Sequence, residues 1–163
     1  MLNQTAIKCL IVDDEPPARD VLRRYIDTIP SLSFSGECGN AIEAMSFLQR
    51  NEVDLLFLDI HMPQLKGIDL LKILSNPPKV IFTTAFSEYA LEGYNLDIVD
   101  YLLKPIQFER FLKAVSKAFQ YAKPTAANVP ATVPEENRKE LYIYLRADRK
   151  MVKIMLQDIL YVE

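Results

Sequence analysis

The stretch LLFLD at residues 55–59 decides the fold, because a run of large apolar residues ends abruptly in an acid. A short apolar run without alternation is typical of a strand buried on both faces, as in a parallel sheet. Comparable runs occur at Ile7–Val12, Val80–Phe82 and Ile98–Leu103. The sequence therefore predicts a parallel sheet whose buried strands end in polar side chains.

Amphipathic segments lie between these runs and predict the helices that cover the sheet. Alternation at Leu32, Phe34 and Gly36 predicts an additional edge strand. Helical spacing of apolar residues follows Pro16-Pro17, follows the capping residue Asn40, and recurs over Leu65–Leu74, Tyr89–Asn95 and Phe108–Phe119. Five strands alternating with five helices predict a doubly wound α/β fold. Of the two common strand orders we expect 2-1-3-4-5, because the chain has five strand signals.

The alternation stops at residues 123–139, where prolines stand among small and polar residues and predict a flexible linker. Beyond it, the strand patterns at Leu141–Arg146 and Met151–Leu156 predict a β-hairpin. A lone hairpin is only marginally stable in water. We therefore expect residues 140–163 to be the truncated start of a further domain.

Charge and composition disfavour several classes of protein. A formal net charge of −3 and a pI of about 5.3 disfavour DNA binding by this chain alone. No apolar run reaches the roughly 20 residues that span a bilayer, and the start lacks the features of a signal peptide. We therefore expect a cytoplasmic protein without membrane contact. Cys9 and Cys38 have no zinc-ligand spacing, and we interpret them as buried thiols.

Polar side chains follow four strands of the predicted sheet, at the point where each strand ends. Asp13 and Asp14 end the first strand, Asp59 the third, Thr84 the fourth and Lys104 the fifth. In the expected order these four strands are neighbours, so their carboxyl ends meet at one edge. We therefore expect a single polar site there, where doubly wound sheets bind their ligands.

These residue types suit phosphoryl transfer. Adjacent carboxylates repel one another unless a cation compensates, and oxygen ligands suit Mg²⁺. The metal and the Lys104 ammonium can neutralise charge on a transferring phosphoryl group, while Thr84 can donate a hydrogen bond to it. Asp59, predicted to be deprotonated at neutral pH, needs no general base to form an aspartyl phosphate. An Asp pair after a strand is often only a turn or helix cap, but four strand ends together favour a functional site.

Four short blocks are similar to the signature blocks of the receiver domains of bacterial response regulators. They are IVDDE at 11–15, FLDIHMP at 57–63, TTA at 83–85 and DYLLKP at 100–105. Each block alone is weak, but the ordered set is specific, and the resemblance covers residues 6–122. It implies the flavodoxin-like receiver fold, a two-component phosphorelay and magnesium. It also implies a regulatory domain and no enzyme, since a receiver catalyses only its own phosphorylation and dephosphorylation.

The resemblance implies a role for each acidic residue. Asp59 would accept phosphate from the phosphohistidine of a sensor histidine kinase and would also be a magnesium ligand. Asp14 would bind magnesium directly and Asp13 through water, while the backbone carbonyl of His61 would complete the metal site. The ring of His61 could itself be a ligand or a base. We interpret His61 instead as a loop residue with an exposed ring that contributes only its main chain.

The remaining implied roles concern the switch. Lys104 would pair with the phosphoryl group, and its bond to Pro105 is often cis in the family. Thr84 would move toward the phosphoryl group, and Tyr101 would change rotamer, although the residues alone favour ordinary strand packing for Tyr101. The face formed by Tyr89–Asn95, the fifth strand and the last helix is rich in aromatic residues. We expect phosphorylation to favour a homodimer through that face.

The tail LYIYLRADRKMVKIMLQDILYVE at 141–163 resembles the start of a LytTR-type DNA-binding domain. This resemblance implies a transcription regulator whose receiver controls a domain that is mostly absent from this chain. DNA would be contacted only by residues beyond Glu163.

Three other functions are compatible with parts of the pattern. A phosphohydrolase of the haloacid-dehalogenase kind also uses a strand-end Asp, but it needs a second Asp where this chain has His61. A flavin- or nucleotide-binding module needs a phosphate-cradling loop, and the few glycines form no such motif. A pure interaction protein with an inactive site is disfavoured, because every acidic position is filled.

Overall fold

The computed structural model describes residues 5–90, 96–121, 142–147 and 150–155. The chain divides into two units, Met1–Pro124 and Thr125–Glu163. Among the described residues, none of the helices has the length and apolar character needed to cross a membrane.

The described part of the first unit alternates strands and helices, as the sequence predicts. In chain order the elements are β1 (Ile7–Val12), α1 (Pro16–Thr28), β2 (Leu32–Cys38), α2 (Ala41–Arg50), β3 (Leu55–Asp59), α3 (Gly67–Ile73), β4 (Lys79–Thr84), a 3₁₀ turn (Ser87–Ala90), β5 (Asp100–Leu103) and α4 (Phe108–Tyr121). The strands form one parallel sheet in the order β2-β1-β3-β4-β5. The predicted fold class and strand order are confirmed.

Local chemistry explains where the first two helices begin. Pro16 and Pro17 occupy the first positions of α1, where a missing N–H leaves no helical hydrogen bond unmade. Asn40 caps α2 as predicted, because its side chain accepts a hydrogen bond from the Glu43 N–H at 2.9 Å. The Glu43 carboxylate in turn accepts the Gly39 N–H at 2.9 Å, which fixes the chain just before the helix.

Several element boundaries differ from those predicted. α3 begins two residues later, because the Leu65 N–H donates to the Pro63 carbonyl (2.9 Å) in a tight turn. β5 begins only at Asp100, because the Ile98 N–H turns back to the Leu96 carbonyl (2.9 Å). β4 extends beyond the predicted run at both ends. The helix predicted over 89–95 lies largely outside the described residues.

The sheet has an apolar layer on each face. One layer packs against α1 and α4 and includes Ile11, Phe57, Ile81, Leu102 and Phe111. The other packs against α2 and α3 and includes Leu10, Leu58, Leu70, Val80 and Phe82. Because successive side chains of a strand point to opposite faces, this division also assigns the polar residues at the strand ends to a face.

Both cysteines are buried free thiols. Burial raises the pKa of Cys9 to about 12 and that of Cys38 to about 11, so both stay protonated at neutral pH.

The described part of the second unit is an antiparallel pair of strands, β6 (Tyr142–Ala147) and β7 (Lys150–Met155), with Ala147 opposite Lys150. The predicted hairpin is therefore present. The predicted linker at 123–139 and the last residues of the tail lie outside the described residues.

Candidate functional site

The side chains predicted to share one edge of the sheet do stand at its carboxyl edge. Asp13 and Asp14 follow β1, Asp59 ends β3, Thr84 ends β4 and Lys104 follows β5. The four strands are adjacent in the sheet, and the alternation of side chains assigns Asp13, Asp59 and Lys104 to the face covered by α1 and α4.

Lys104 joins three acids of this edge. Its ammonium nitrogen lies 2.8 Å from Asp13 Oδ2 and 3.7 Å from Asp59 Oδ1. It also lies 3.1 Å from Oε1 of Glu15. Burial alone would lower the pKa of Lys104, but its hydrogen bond to Asp13 and the negative charge of Asp59 raise it overall. Lys104 therefore remains a cation at neutral pH.

Four carboxylates form a group that could hold a metal ion. Asp13, Asp14, Glu15 and Asp59 each offer an oxygen, and these oxygens lie within 4.8 Å of one another. Hard divalent cations such as Mg²⁺ prefer oxygen ligands of this kind. Glu15 was missed by the sequence reasoning, although its position directly after the Asp pair was the available signal.

Asp59 is almost completely enclosed, with 2% of its surface exposed. Burial and the negative charge of Asp13 raise its pKa to about 7, against the lowering effects of Lys104 and of the His61 backbone N–H. With a pKa of about 7 and without a cation, Asp59 is only partly ionised at neutral pH, because burial and the charge of Asp13 disfavour the carboxylate that the sequence predicted to be fully deprotonated. A bound cation would favour the ionised form that a nucleophile needs.

The loop after β3 is held close to the phosphoacceptor candidate. The Gly67 N–H donates to the Ile60 carbonyl at 2.9 Å. A Cβ atom at Gly67 would lie only 2.2 Å from the Asp59 carbonyl oxygen. Only glycine fits this close approach of two backbones. The sequence around Gly67 contains no glycine motif that would have predicted this role.

Thr84 and Tyr101 both contact the main chain of Phe86. The buried Thr84 hydroxyl accepts the Phe86 N–H at 3.2 Å, and the Tyr101 hydroxyl donates to the Phe86 carbonyl. One residue of the β4 loop therefore connects two side chains to which the resemblance assigned linked roles.

His61 was predicted to have an exposed ring, and this is wrong. The residue is half-buried, and its ring packs against the Phe86 ring at a centroid distance of 4.8 Å. The two rings meet at a tilt of 56°, one of the arrangements that aromatic pairs favour.

The segment after β5 passes directly beside the site. The Lys104 N–H donates to the Thr84 carbonyl at 2.7 Å, and the peptide bond between Lys104 and Pro105 is cis. The Tyr25 hydroxyl of α1 donates to the Ile106 carbonyl at 2.9 Å. These bonds attach the Lys104 backbone to the neighbouring strand and its continuation to α1.

Arg19 of α1 supports the turn that carries Asp13. One guanidinium nitrogen donates to the Asp13 carbonyl at 2.6 Å, and Nε lies 3.2 Å from Glu37 Oε1. The sequence did not predict this role of Arg19, because a charged residue in the second turn of an amphipathic helix is common.

Asp100 is a half-buried acid in β5 that does not belong to the group of metal-ligand candidates. Arg110 of α4 donates two hydrogen bonds to it, each of 2.8 Å, and Lys117 lies 3.2 Å away. Arg110 also donates to the Tyr101 carbonyl at 2.9 Å. Burial would raise the pKa of Asp100, but the Arg110 and Tyr101 hydrogen bonds hold it below its usual value.

Comparison with known families agrees with this fold. Residues 9–116 match the response regulator receiver domain family. The match covers more than half of the chain, which therefore belongs to that family of regulatory domains. The chain contains the receiver domain of a two-component response regulator, and the phosphohydrolase alternative is not favoured.

Several individual response regulators and transcriptional regulators are similar to this chain. The transcriptional regulatory protein BtsR of Escherichia coli K12 is 33% identical over 158 residues, covering 96% of this chain and 65% of that protein. The sensory transduction protein LytT of Bacillus anthracis is 32% identical over 166 residues, with the same coverage. The REC domain of AraT, a response regulator from Geobacillus stearothermophilus, superposes with a TM-score of 0.65 at 34% identity, covering 72% of this chain and 95% of that one. The chain thus spans about two thirds of the length of the curated relatives.

Proposed function

We propose that Asp59 accepts a phosphoryl group from the phosphohistidine of a sensor histidine kinase. The observation that carries this proposal is a buried strand-end carboxylate that shares its site with an ammonium and with three further acids. In the transfer, the phosphorus–nitrogen bond breaks as an Asp59 oxygen bonds to phosphorus. The histidine nitrogen leaves with the electron pair of the broken bond.

The acidic group fits a Mg²⁺ ion. Asp14 and Asp59 would be direct ligands, Asp13 would act through water, and the His61 carbonyl would complete the set. When bound, the ion neutralises negative charge on the carboxylates and the phosphoryl group. Lys104, already charged and beside Asp59, would exchange its carboxylate contacts for a phosphoryl oxygen.

The switch would run through the loop after β4. A threonine hydroxyl can accept one hydrogen bond and donate another, so a Thr84 that moves to donate to a phosphoryl oxygen would carry along the main chain of Phe86, whose N–H it accepts. Since Tyr101 holds the carbonyl of the same residue, movement of this loop would also free the Tyr101 ring to change rotamer. The receiver would catalyse only its own phosphorylation and dephosphorylation.

We also propose that the chain consists of a receiver, a linker and the start of a second domain. Residues 6–122 would be the receiver, 123–139 a flexible linker and 140–163 the start of a LytTR-type DNA-binding domain. The similarity to LytT and to a transcriptional regulator supports a role in transcription in the cytoplasm. The hairpin of β6 and β7 agrees with the expected start of such a domain.

Phosphorylation is tested with a small phosphodonor. We expect acetyl phosphate and Mg²⁺ to add one phosphoryl group to the wild-type chain, detected by intact mass, and chelation of Mg²⁺ to abolish the adduct. Asp59→Asn should abolish it as well. Asp69→Asn, which removes an exposed acid on α3, should leave it intact. An adduct that survives Asp59→Asn, or no adduct on the wild type, would contradict the proposal.

A further inference from the structure

The Thr83 hydroxyl is a buried polar group close to the candidate site. Thr83 is fully buried, and its Oγ1 has no hydrogen-bond partner within the described part of the chain. Sequence reasoning assigned a function to Thr84 and none to the threonine before it. Buried polar groups almost always have a partner, so an exception beside a functional site needs an explanation.

The sheet register places Thr83 directly beside the phosphoacceptor. Thr83 is aligned with Asp59 in β3 on one side and with Leu102 in β5 on the other. Ile81, two residues earlier, belongs to the core layer that faces α1 and α4, so alternation assigns Thr83 to that same face. Asp59 and Lys104 share this face. The hydroxyl therefore lies next to the Asp59 side chain on the side of the sheet where Lys104 reaches it.

The hydroxyl has no evident role in stability. An unmade hydrogen bond of a buried hydroxyl costs about 1–3 kcal/mol, and valine would fill the same space without that cost. Aligned side chains on adjacent strands are about 5 Å apart at Cβ, which lets a hydroxyl meet a carboxylate at about 2.7 Å.

The contacts of Asp59 explain when such a donor would be needed. Lys104 lies 3.7 Å from Asp59 but only 2.8 Å from Asp13, so its contact with Asp59 is the longer one. Under the proposed function, Lys104 turns to the phosphoryl group and leaves Asp59. The carboxylate then needs another donor to hold its orientation.

We propose that Thr83 is a positioning residue of the phosphoacceptor, whose hydroxyl donates a hydrogen bond to the Asp59 carboxylate in the reacting state. This inference rests on the proposed function, because it names a further residue of the same site. Thr83 orients Asp59 and does not touch the phosphoryl group.

Two substitutions distinguish the effect of the Thr83 hydroxyl on the phosphorylation rate from the effect of the side chain's shape. Thr83→Val keeps the shape and removes the hydroxyl, Thr83→Ser keeps the hydroxyl, and Thr28→Val makes the same change at an exposed site on α1. We expect Thr83→Val to lower the saturating rate of phosphorylation by acetyl phosphate with Mg²⁺ about tenfold, the effect of one hydrogen bond to a charged group. The half-saturating donor concentration and the midpoint of urea unfolding should not fall. Thr83→Ser should restore the rate to within about twofold of wild type, and Thr28→Val should not change it.

Two kinetic outcomes would overturn the inference: a wild-type rate in Thr83→Val, or an equal loss in Thr83→Val and Thr83→Ser, which would indicate packing. If the wild type forms no adduct at all, the proposed function fails, and a second measurement decides the role of Thr83. The ¹³C resonance of the Asp59 carboxyl is then compared between Lys104→Met and the double variant Lys104→Met with Thr83→Val, both loaded with Mg²⁺, because these variants lack the Lys104 contact that is lost in the reacting state. A shifted resonance supports the hydrogen bond, and an unchanged one rules it out.

Discussion

At the scale of single residues, the surroundings of Asp59 oppose its charge more than they support it. Its pKa of about 7 lies above the ordinary value of 3.8, so the folded chain binds the proton more tightly than the unfolded chain. The stability that comes from protonated Asp59 is therefore fully present below about pH 4 and is lost as the pH rises through 7.

Asp59→Asn removes the charge that causes this loss. In metal-free protein we expect the substitution to raise the free energy of unfolding at pH 8 by roughly 2–4 kcal/mol and to change it little at pH 4. Lys104 keeps its contacts with Asp13 and Glu15 in this variant. Urea unfolding at both pH values, with Asp69→Asn as the control, measures the effect. An equal gain at both pH values would show that charge is not the cause.

Gly67 limits the position of Asp59 through its backbone. Gly67→Ala places a methyl group 2.2 Å from the Asp59 carbonyl oxygen, so the loop must shift. We expect a loss of about 1–3 kcal/mol in unfolding free energy, together with slower phosphorylation by acetyl phosphate. Gly39→Ala is the matched control, since its added methyl would meet its nearest neighbours at 3.8 Å. Equal effects of the two substitutions would contradict this role of Gly67.

At the scale of elements, one ion pair attaches α4 to β5. Asp100 interrupts the apolar pattern of β5. Arg110 binds it with two hydrogen bonds and also binds the Tyr101 carbonyl. Arg110 of α4 therefore binds β5 through the side chain of Asp100 and through the main chain of Tyr101. A spacing of ten residues across a strand and a helix gives no local signal of this contact.

Asp100→Asn is expected to lower the free energy of unfolding at pH 7 by about 1–2 kcal/mol, because Arg110 and Lys117 are exposed enough to regain water. The folded-state pKa of Asp100 is depressed, so its contribution is present above the ordinary value of 3.8 and is lost as the pH falls through the lower folded-state value. Urea unfolding at pH 7 and pH 3 measures this difference. Asp97→Asn, at an exposed position, serves as control. A loss of equal size at pH 7 and pH 3 would argue against the ion pair.

At the scale of the whole molecule, the receiver and the hairpin are separate units of the chain. The face that includes β5 and α4 carries the exposed side chains of Leu103 and Leu112. Phosphorylation is proposed to rearrange Tyr101 at this same face. We therefore expect the beryllofluoride-bound protein to form a symmetric dimer there.

Sedimentation with and without beryllofluoride and Mg²⁺ measures this change in mass. Leu112→Asp should keep the bound protein monomeric, while Ile42→Asp, on the remote helix α2, should not affect dimer formation. A monomer mass for the wild type with beryllofluoride would contradict the proposal.

Local patterns in the sequence determined most of the fold. Apolar runs without alternation identified the buried strands, helical spacing identified the covering helices, and Asn40 marked the start of α2. The sequence also predicted that Asp13, Asp59 and Lys104 lie together, because parallel strands bring their carboxyl ends to one edge of the sheet. The family blocks pointed to the same residues.

Tertiary structure alone decided the energetics of the site. The raised pKa of Asp59 depends on burial and on Asp13, which is distant in sequence but adjacent across the sheet. The place of the buried Thr83 hydroxyl beside Asp59 depends on the strand register. The close approach of Gly67 to the Asp59 carbonyl depends on two backbone segments that meet only in the folded chain. Residue type and spacing determine which groups reach an edge. Distances between elements determine how strongly those groups repel, bind or clash, and these distances exist only once the chain has packed.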